Sequence, residues 1–306
     1  MRPVLSSNLS RKAARSDGSR LIGLLSPKDY ERLRPHLERI ALAGGQVLYS
    51  AHTPIKYVYF IETGVCAVMD TLADGVAGKV GTVGNEGMVG LPVVWGEHRA
   101  PHSVFVQIPG VGLRMKAALF RKELARSASL HAVMLRYASA FFNRVARSAV
   151  CNHFHSIRQR CCRLLLMTQD HMRSDQFLLT HKSLATMLGT HRPGVTATAI
   201  TLQRAGLIRY SRGNVTILDR AGLQRCSCEC YSATKREFDR LLGAPARRET
   251  RVPFTQDDLT LRSTAPRLRS AQAARVSKGG RSLGLAAPSK RARRLPRAIR
   301  GAPSSA

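Results

Sequence analysis

Two short helix-like segments meet at a single glycine, and a glycine-turned hairpin follows them at once. No other feature restricts this chain so tightly. From Leu178 to Asp219 it reads LLTHKSLATMLGTHRPGVTATAITLQRAGLIRYSRGNVTILD. Thr180 suits a helix N-cap, because its hydroxyl can accept from a free amide one turn in. Leu184, Met187 and Leu188 recur at helical spacing. Gly189 follows, where a helix end often needs a left-handed residue. The second helix is expected from about His191 to Arg204. Pro193 falls in its first turn, where a missing N–H costs little. Val195, Ala199, Ile200 and Leu202 are expected to face inward, with Arg192, Thr196, Thr198 and Gln203 outward. Leu207 to Tyr210, a turn at Arg212-Gly213-Asn214, and Val215 to Leu218 then form a wing.

That pattern is a winged helix-turn-helix, whose second helix fits a DNA major groove about 12 Å wide. A buried helical hairpin would give a similar apolar pattern. The polar outer face, the adjoining hairpin and the charge balance all count against that plainer reading. The chain has 306 residues and a formal charge of +30, an argument for a polyanionic partner, with nucleic acid favoured. No uninterrupted apolar run reaches the length of about 18 residues that a membrane span needs. The first residues lack an apolar signal core. Seven scattered cysteines, an odd number, do not read as a disulfide framework, so a cytoplasmic setting is expected.

Around the reader the period of the sequence changes twice. Residues 1–20 are Ser/Arg-rich and read as a disordered arm. Ser26-Pro27-Lys28-Asp29 looks like a helix start, with Tyr30, Leu33, Leu37 and Ile40 as its stripe. Short β-prone runs then follow at 47–49, 57–61, 65–71, 76–83, 104–108 and 111–115, with glycine turns between them. They suggest a double-sheet jelly roll, and the domain is expected over 21–126. A long helix at 127–153 carries Leu130, Val133, Met134, Tyr137, Phe141 and Val145 at spacings of three and four, which read as core or as a two-fold dimer seam. The reader domain is expected over 154–243, closed by one helix from Arg220 to Leu242. Residues 244–306 hold 15 Lys/Arg against 3 acids without apolar periodicity. They read as a disordered basic tail suited to phosphate contacts. The fold class is therefore α+β.

Four segments carry a family resemblance: PIKYVYFIETG at 54–64, GNEGMVGLPVV at 84–94, AVCNHFHSIRQRCCRLLL at 149–166 and LQRAGLIRYSRGNVTILDRAGL at 202–223. In that order they resemble the Crp/Fnr transcription regulators over about residues 20–243. The resemblance implies a cyclic-nucleotide-binding-like roll, a dimerisation helix, a winged helix on double-stranded DNA, and RNA polymerase as a further partner. It places Thr180, His181 and Lys182 against phosphates and Arg192 at the guanine-reading position; Thr190, His191, Thr196 and Gln203, around the turn and on the outer face of the second helix, are further expected DNA contacts. The family's next reading positions are Pro193 and Ala197 here, so a different site is expected. Its ligand pocket falls on Gly87, Met88, Val89 and Gly90, with His102 and Ser103 where an Arg-Ser pair holds a cyclic phosphate. Met88 replaces the ribose-binding Glu and His102 the phosphate-binding Arg, so cyclic AMP is not expected to bind.

No catalytic set, metal site or cofactor is expected. Residues 1–65 contain no cysteine, so the four-thiolate cluster of oxygen-sensing relatives is unavailable. On one continuous helix Cys226 and Cys230 would share a face while Cys228 pointed away, so they read as buried or spare thiols. Redox sensing through them, or through Cys161-Cys162, is the sharper alternative. His98 and His102 suggest a cupin metal centre only weakly, because Glu86 precedes them in the wrong order. His153 and His155 read as structural. The alternative function from another class is sequence-independent nucleic-acid binding driven by charge.

Overall fold

A computed structural model describes residues 18–75 and 77–243. The expected arm at 1–17 and the basic tail at 244–306 lie outside the described residues. Gly18 to Arg20, expected in the arm, begin the folded part: Arg20 opens helix α1, Arg20–Gly23, and pairs with Asp239 at 2.9 Å.

Helix α2, Pro27–Leu33, starts as its sequence predicts, with Ser26 Oγ accepting from Asp29 N and proline in the first turn. It is shorter than expected. A single 3₁₀ turn, Arg34–His36, ends it, and Ile40 lies instead in strand β1, Glu38–Leu42. The roll continues through β2 (Val47–Tyr49), β3 (Tyr57–Thr71), β4 (Ala77–Val83), β5 (Met88–Val89) and β6 (Ser103–Lys116). All pair antiparallel, in the order β1-β6-β3-β4, with β2 on β6 and β5 on β3.

Two pairs of expected short strands are each one long strand. Gly64 and Pro109-Gly110 do not break β3 and β6; they are where the two strands cross through shifts of register. The backbones approach so closely there that a Cβ on Gly64 would lie 2.9 Å from the Ile108 carbonyl oxygen. Glycine on both sides lets the paired strands bend together, as a bulge does.

Helix α3 (Ala117–Arg126) leads into the long helix α4 (Ala128–Phe154). Ser127 caps α4 by accepting from Leu130 N, and its hydroxyl donates to the buried Asp29 carboxylate at 2.5 Å. Leu130, Val133, Met134 and Tyr137 of α4 are core residues, packed with Phe60 and Phe120 of the roll. The stripe read as a possible dimer seam is thus the internal face. The large exposed apolar residues of α4 are Leu135, Phe142, Val150 and Phe154.

The reader unit comprises α5 (Ile157–Met172), β7 (Gln176–Leu178), α6 (His181–Leu188), α7 (Arg192–Arg204), β8 (Ile208–Ser211) and β9 (Asn214–Ile217). Ser156 and Gln159 form a reciprocal capping box at the start of α5. β7 adds a third strand to the wing, in the order β7-β9-β8. The expected closing helix is two helices, α8 (Arg220–Cys226) and α9 (Cys230–Leu242), interrupted at Ser227-Cys228-Glu229. Among the described residues no helix is long and apolar enough to cross a membrane.

Candidate nucleic-acid interface

The two short helices are built as their sequence requires. Thr180 Oγ1 accepts from Ser183 N at 3.1 Å, and Gly189 ends α6 at φ +57°. Leu184, Met187 and Leu188 meet Val195 and Leu202 in one core with Cys161, Leu165 and Val215. Ile200, expected inside, is 42% exposed. It follows the buried Ala199 by one residue, about 100° round the helix, and so leaves the apolar arc.

The predicted contact residues divide into two groups. Lys182, His191 and Arg192 are exposed, the last two at the start of α7. Thr180 is exposed, with its hydroxyl engaged in the cap. The others hold the reader together. His181 is half-buried: its Nδ1 lies 3.1 Å from Thr196 Oγ1 and its ring 4.3 Å from that of Tyr210. Burial first, then the Arg192 charge, lower its pKa. Thr196 also donates to the Arg192 carbonyl oxygen. Thr190 is half-buried behind the turn, its N–H donating to Ala185 O. Gln203 Oε1 accepts from Tyr210 N at 2.7 Å, tying α7 to the wing. Sequence reasoning missed Arg209 and Arg212, both exposed on the wing, with Arg212 at φ +49° in the turn. Their signal was present: two arginines around Ser211 at a hairpin tip beside the reader.

The expected ligand pocket is mostly core. Met88 is fully buried and its carbonyl oxygen accepts from Tyr137 Oη at 3.1 Å. Gly87 lies so close to Tyr137 that a Cβ would collide with the phenol. Gly90 takes φ +102° in the turn before Leu91, and Val89 is buried. His102 Nδ1 faces the Asp70 carboxylate at 3.5 Å, and Ser103 Oγ accepts from Ala51 N. Arg99 donates to the His52 carbonyl oxygen. A cavity of about 240 Å³ lies elsewhere, between β4, α4, α5 and α6, with Lys79, Arg144, Arg160 and Arg163 in its wall. Burial, then repulsion from Arg163, Arg144 and Arg160, brings the Lys79 ammonium down to about 7.

Glu86 is not part of a cupin centre. It joins Arg144 at 2.6 Å and His171 at 3.0 Å. Cys161 and Cys162 are core thiols that burial pushes up to about 12, which leaves little thiolate for redox chemistry.

Residues 159–226 match the Crp-like helix-turn-helix domain. Among solved structures, FixK2 from Bradyrhizobium japonicum superposes with a TM-score of 0.54 at 14% identity, over 63% of this chain and 98% of that one. A crp/fnr-family transcriptional regulator from Eubacterium rectale gives 0.52 at 17%, over 66% and 94%. A CRP-family transcriptional regulator from Thermus thermophilus gives 0.51 at 21%, over 61% and 95%. No curated protein matches the chain in sequence.

Proposed function

We propose that this chain, a member of the Crp/Fnr family by its Crp-like helix-turn-helix domain and its fold, reads duplex DNA sequence-specifically as a two-fold dimer, without cyclic AMP. One observation carries the reading. The first turn of α7 stands open with His191 and Arg192, while the other side of the same helix is buried on Val195, Ala199 and Leu202. A helix held in this way can enter a major groove with its N-terminal residues against base edges. Arg192 suits guanine O6 and N7. Lys182, Arg209 and Arg212 are phosphate contacts that set register and carry no sequence information.

Dimerisation uses the exposed line Leu135, Phe142, Val150 and Phe154 of α4, which pairs with its own copy. Independence from cyclic AMP is supported by the pocket. A phosphate would meet the Asp70 carboxylate beside His102 rather than a bidentate arginine, and Met88 offers a ribose no carboxylate. RNA polymerase as a downstream partner, regulation of transcription in the cytoplasm, and the lack of an enzymatic activity follow from the family reading.

Selection of bound duplexes from a random pool, with the full chain at fixed salt, tests the proposal. A two-fold site with half-sites about 34–36 Å apart is expected. Equal affinity for all duplexes would establish charge-driven coating instead. Titration calorimetry with cyclic AMP is expected to show no binding.

A further inference from the structure

The interruption between α8 and α9 has a chemical consequence. Were the closing helix continuous, Cys228 would point away from Cys226 and Cys230. In the structure α8 stops at Cys226 and Ser227 is extended, so Cys228 and Cys230 come to the same side. They meet Cys151, in the last turn of α4, and His155, which caps that helix one turn later. Cys151, Cys228 and Cys230 form a buried cluster of their own, with exposures of 0%, 3% and 2%.

One ligand atom from each of Cys151, His155, Cys228 and Cys230 lies within 4.8 Å of all the others. Cys151 Sγ is 3.6 Å from Cys228 Sγ, and His155 Nδ1 is 3.7 Å from Cys230 Sγ. A single tetrahedral ion with metal–sulfur bonds of about 2.3 Å separates its ligand atoms by about 3.8 Å. The spacing therefore suits one ion. An iron–sulfur cluster would need the ligands spread over several metal atoms.

The surroundings suit it as well. His155 turns Nδ1 to the thiols, and its Nε2 lies 3.3 Å from Glu229 Oε1. A carboxylate behind a metal-bound imidazole fixes its tautomer and raises its basicity. Three thiolates and one imidazole around a dication leave one net negative charge. The buried Arg163 guanidinium interacts with Cys151 and offsets it.

We propose that Cys151, His155, Cys228 and Cys230 form a closed structural zinc site, with Glu229 supporting His155. Four protein ligands leave no open position, so the ion's role is to staple rather than to catalyse. It fastens the end of the long helix to the α8–α9 junction, directly before Ser156 starts the reader unit. Binding releases the thiol protons to solvent with no oxidation or reduction, so no electron acceptor is needed. The proposal stands whether or not the chain selects a DNA sequence, so the two can fail separately.

The test uses the full chain, purified without an affinity tag and without chelator. Elemental analysis should find a single zinc per chain, and cobalt exchange should give the strong visible bands of a tetrahedral thiolate site. Cys226→Ser, close in sequence but outside the cluster, should keep the metal, and Cys228→Ser should lose it. Because Cys228→Ser risks misfolding, Glu229→Gln is the milder arm, weakening zinc affinity by about 10-fold with all ligands in place. Alkylation of the wild-type chain gives an independent readout: zinc should shield Cys151, Cys228 and Cys230, and a chelator should expose them. Metal-free protein with no cobalt spectrum, or a Cys151–Cys228 disulfide recovered from protein isolated without reductant, overturns the proposal.

Discussion

Glu86 and Arg144 meet at 2.6 Å where the roll touches the long helix, and both are nearly buried. His171 of α5 takes the other carboxylate oxygen at 3.0 Å. One side chain thus joins the roll, the long helix and the first helix of the reader unit. Burial alone would push the Glu86 carboxyl up. The charges of His171 and Arg144 outweigh that and hold it well below the usual carboxylate range. The folded chain therefore binds fewer protons there than the unfolded one. The resulting stability is present above the usual carboxylate pKa and is lost as pH falls below it. Glu86→Gln should cost about 3 kcal/mol at neutral pH, since it leaves buried charge unpaired. Thermal unfolding of the variant should also show a flatter acid limb than that of the parent.

Lys79 should give a slope of the same sign at higher pH, but from a cost that is relieved rather than a gain that is added. Its pKa in the fold, about 7, lies below the value of about 10.4 expected in an unfolded chain. Between those values the unfolded chain binds the extra proton, so stability from this group rises with pH. The cost of holding the half-buried ammonium beside three arginines is complete below the lower value. Lys79→Met should therefore raise the melting temperature at neutral pH and remove that rise in the alkaline range. Melting curves across the range check both.

The reader separates two kinds of arginine. Arg192→Ala should cost about 1–3 kcal/mol on the selected site and relax one base position. Arg212→Ala should weaken all duplexes alike and lower the salt slope by about 1. Competition binding against single-base variants at several salt concentrations distinguishes them. Uniform weakening by Arg192→Ala would make that residue a phosphate contact only.

Phe142 is 68% exposed at the middle of the open line on α4. Phe142→Arg should shift the chain from dimer to monomer in sedimentation equilibrium, because it sets like charges face to face across a two-fold axis. It should leave the monomer's melting temperature almost unchanged, since the side chain is outside the core.

Much of this architecture follows from local sequence, because the devices involved act over a few residues. Thr180, Gly189 and Pro193 punctuate the reader as the sequence dictates. Ser127 and Ser156 start their helices for the same reason. The buried apolar stripe of α4 was also legible, since its spacing depends only on helical period. What covers that stripe was not: a run of three and four looks the same against a roll as against a second copy, and the roll took it.

Long-range relations were decided by tertiary structure alone. Gly64 and Gly110 look like strand ends until the two strands cross there. His181, Thr196 and Gln203 look like DNA contacts until Tyr210 folds back and engages two of them directly. Cys228 points away from its neighbours on any continuous helix. Only the break at Ser227 and the arrival of Cys151 and His155, more than 70 positions earlier in the chain, bring four ligand atoms together. Periodicity and caps are properties of neighbours along the chain, so they can be read before any fold is known. Which surfaces and thiols meet depends on how loops close, and only the packed chain decided that.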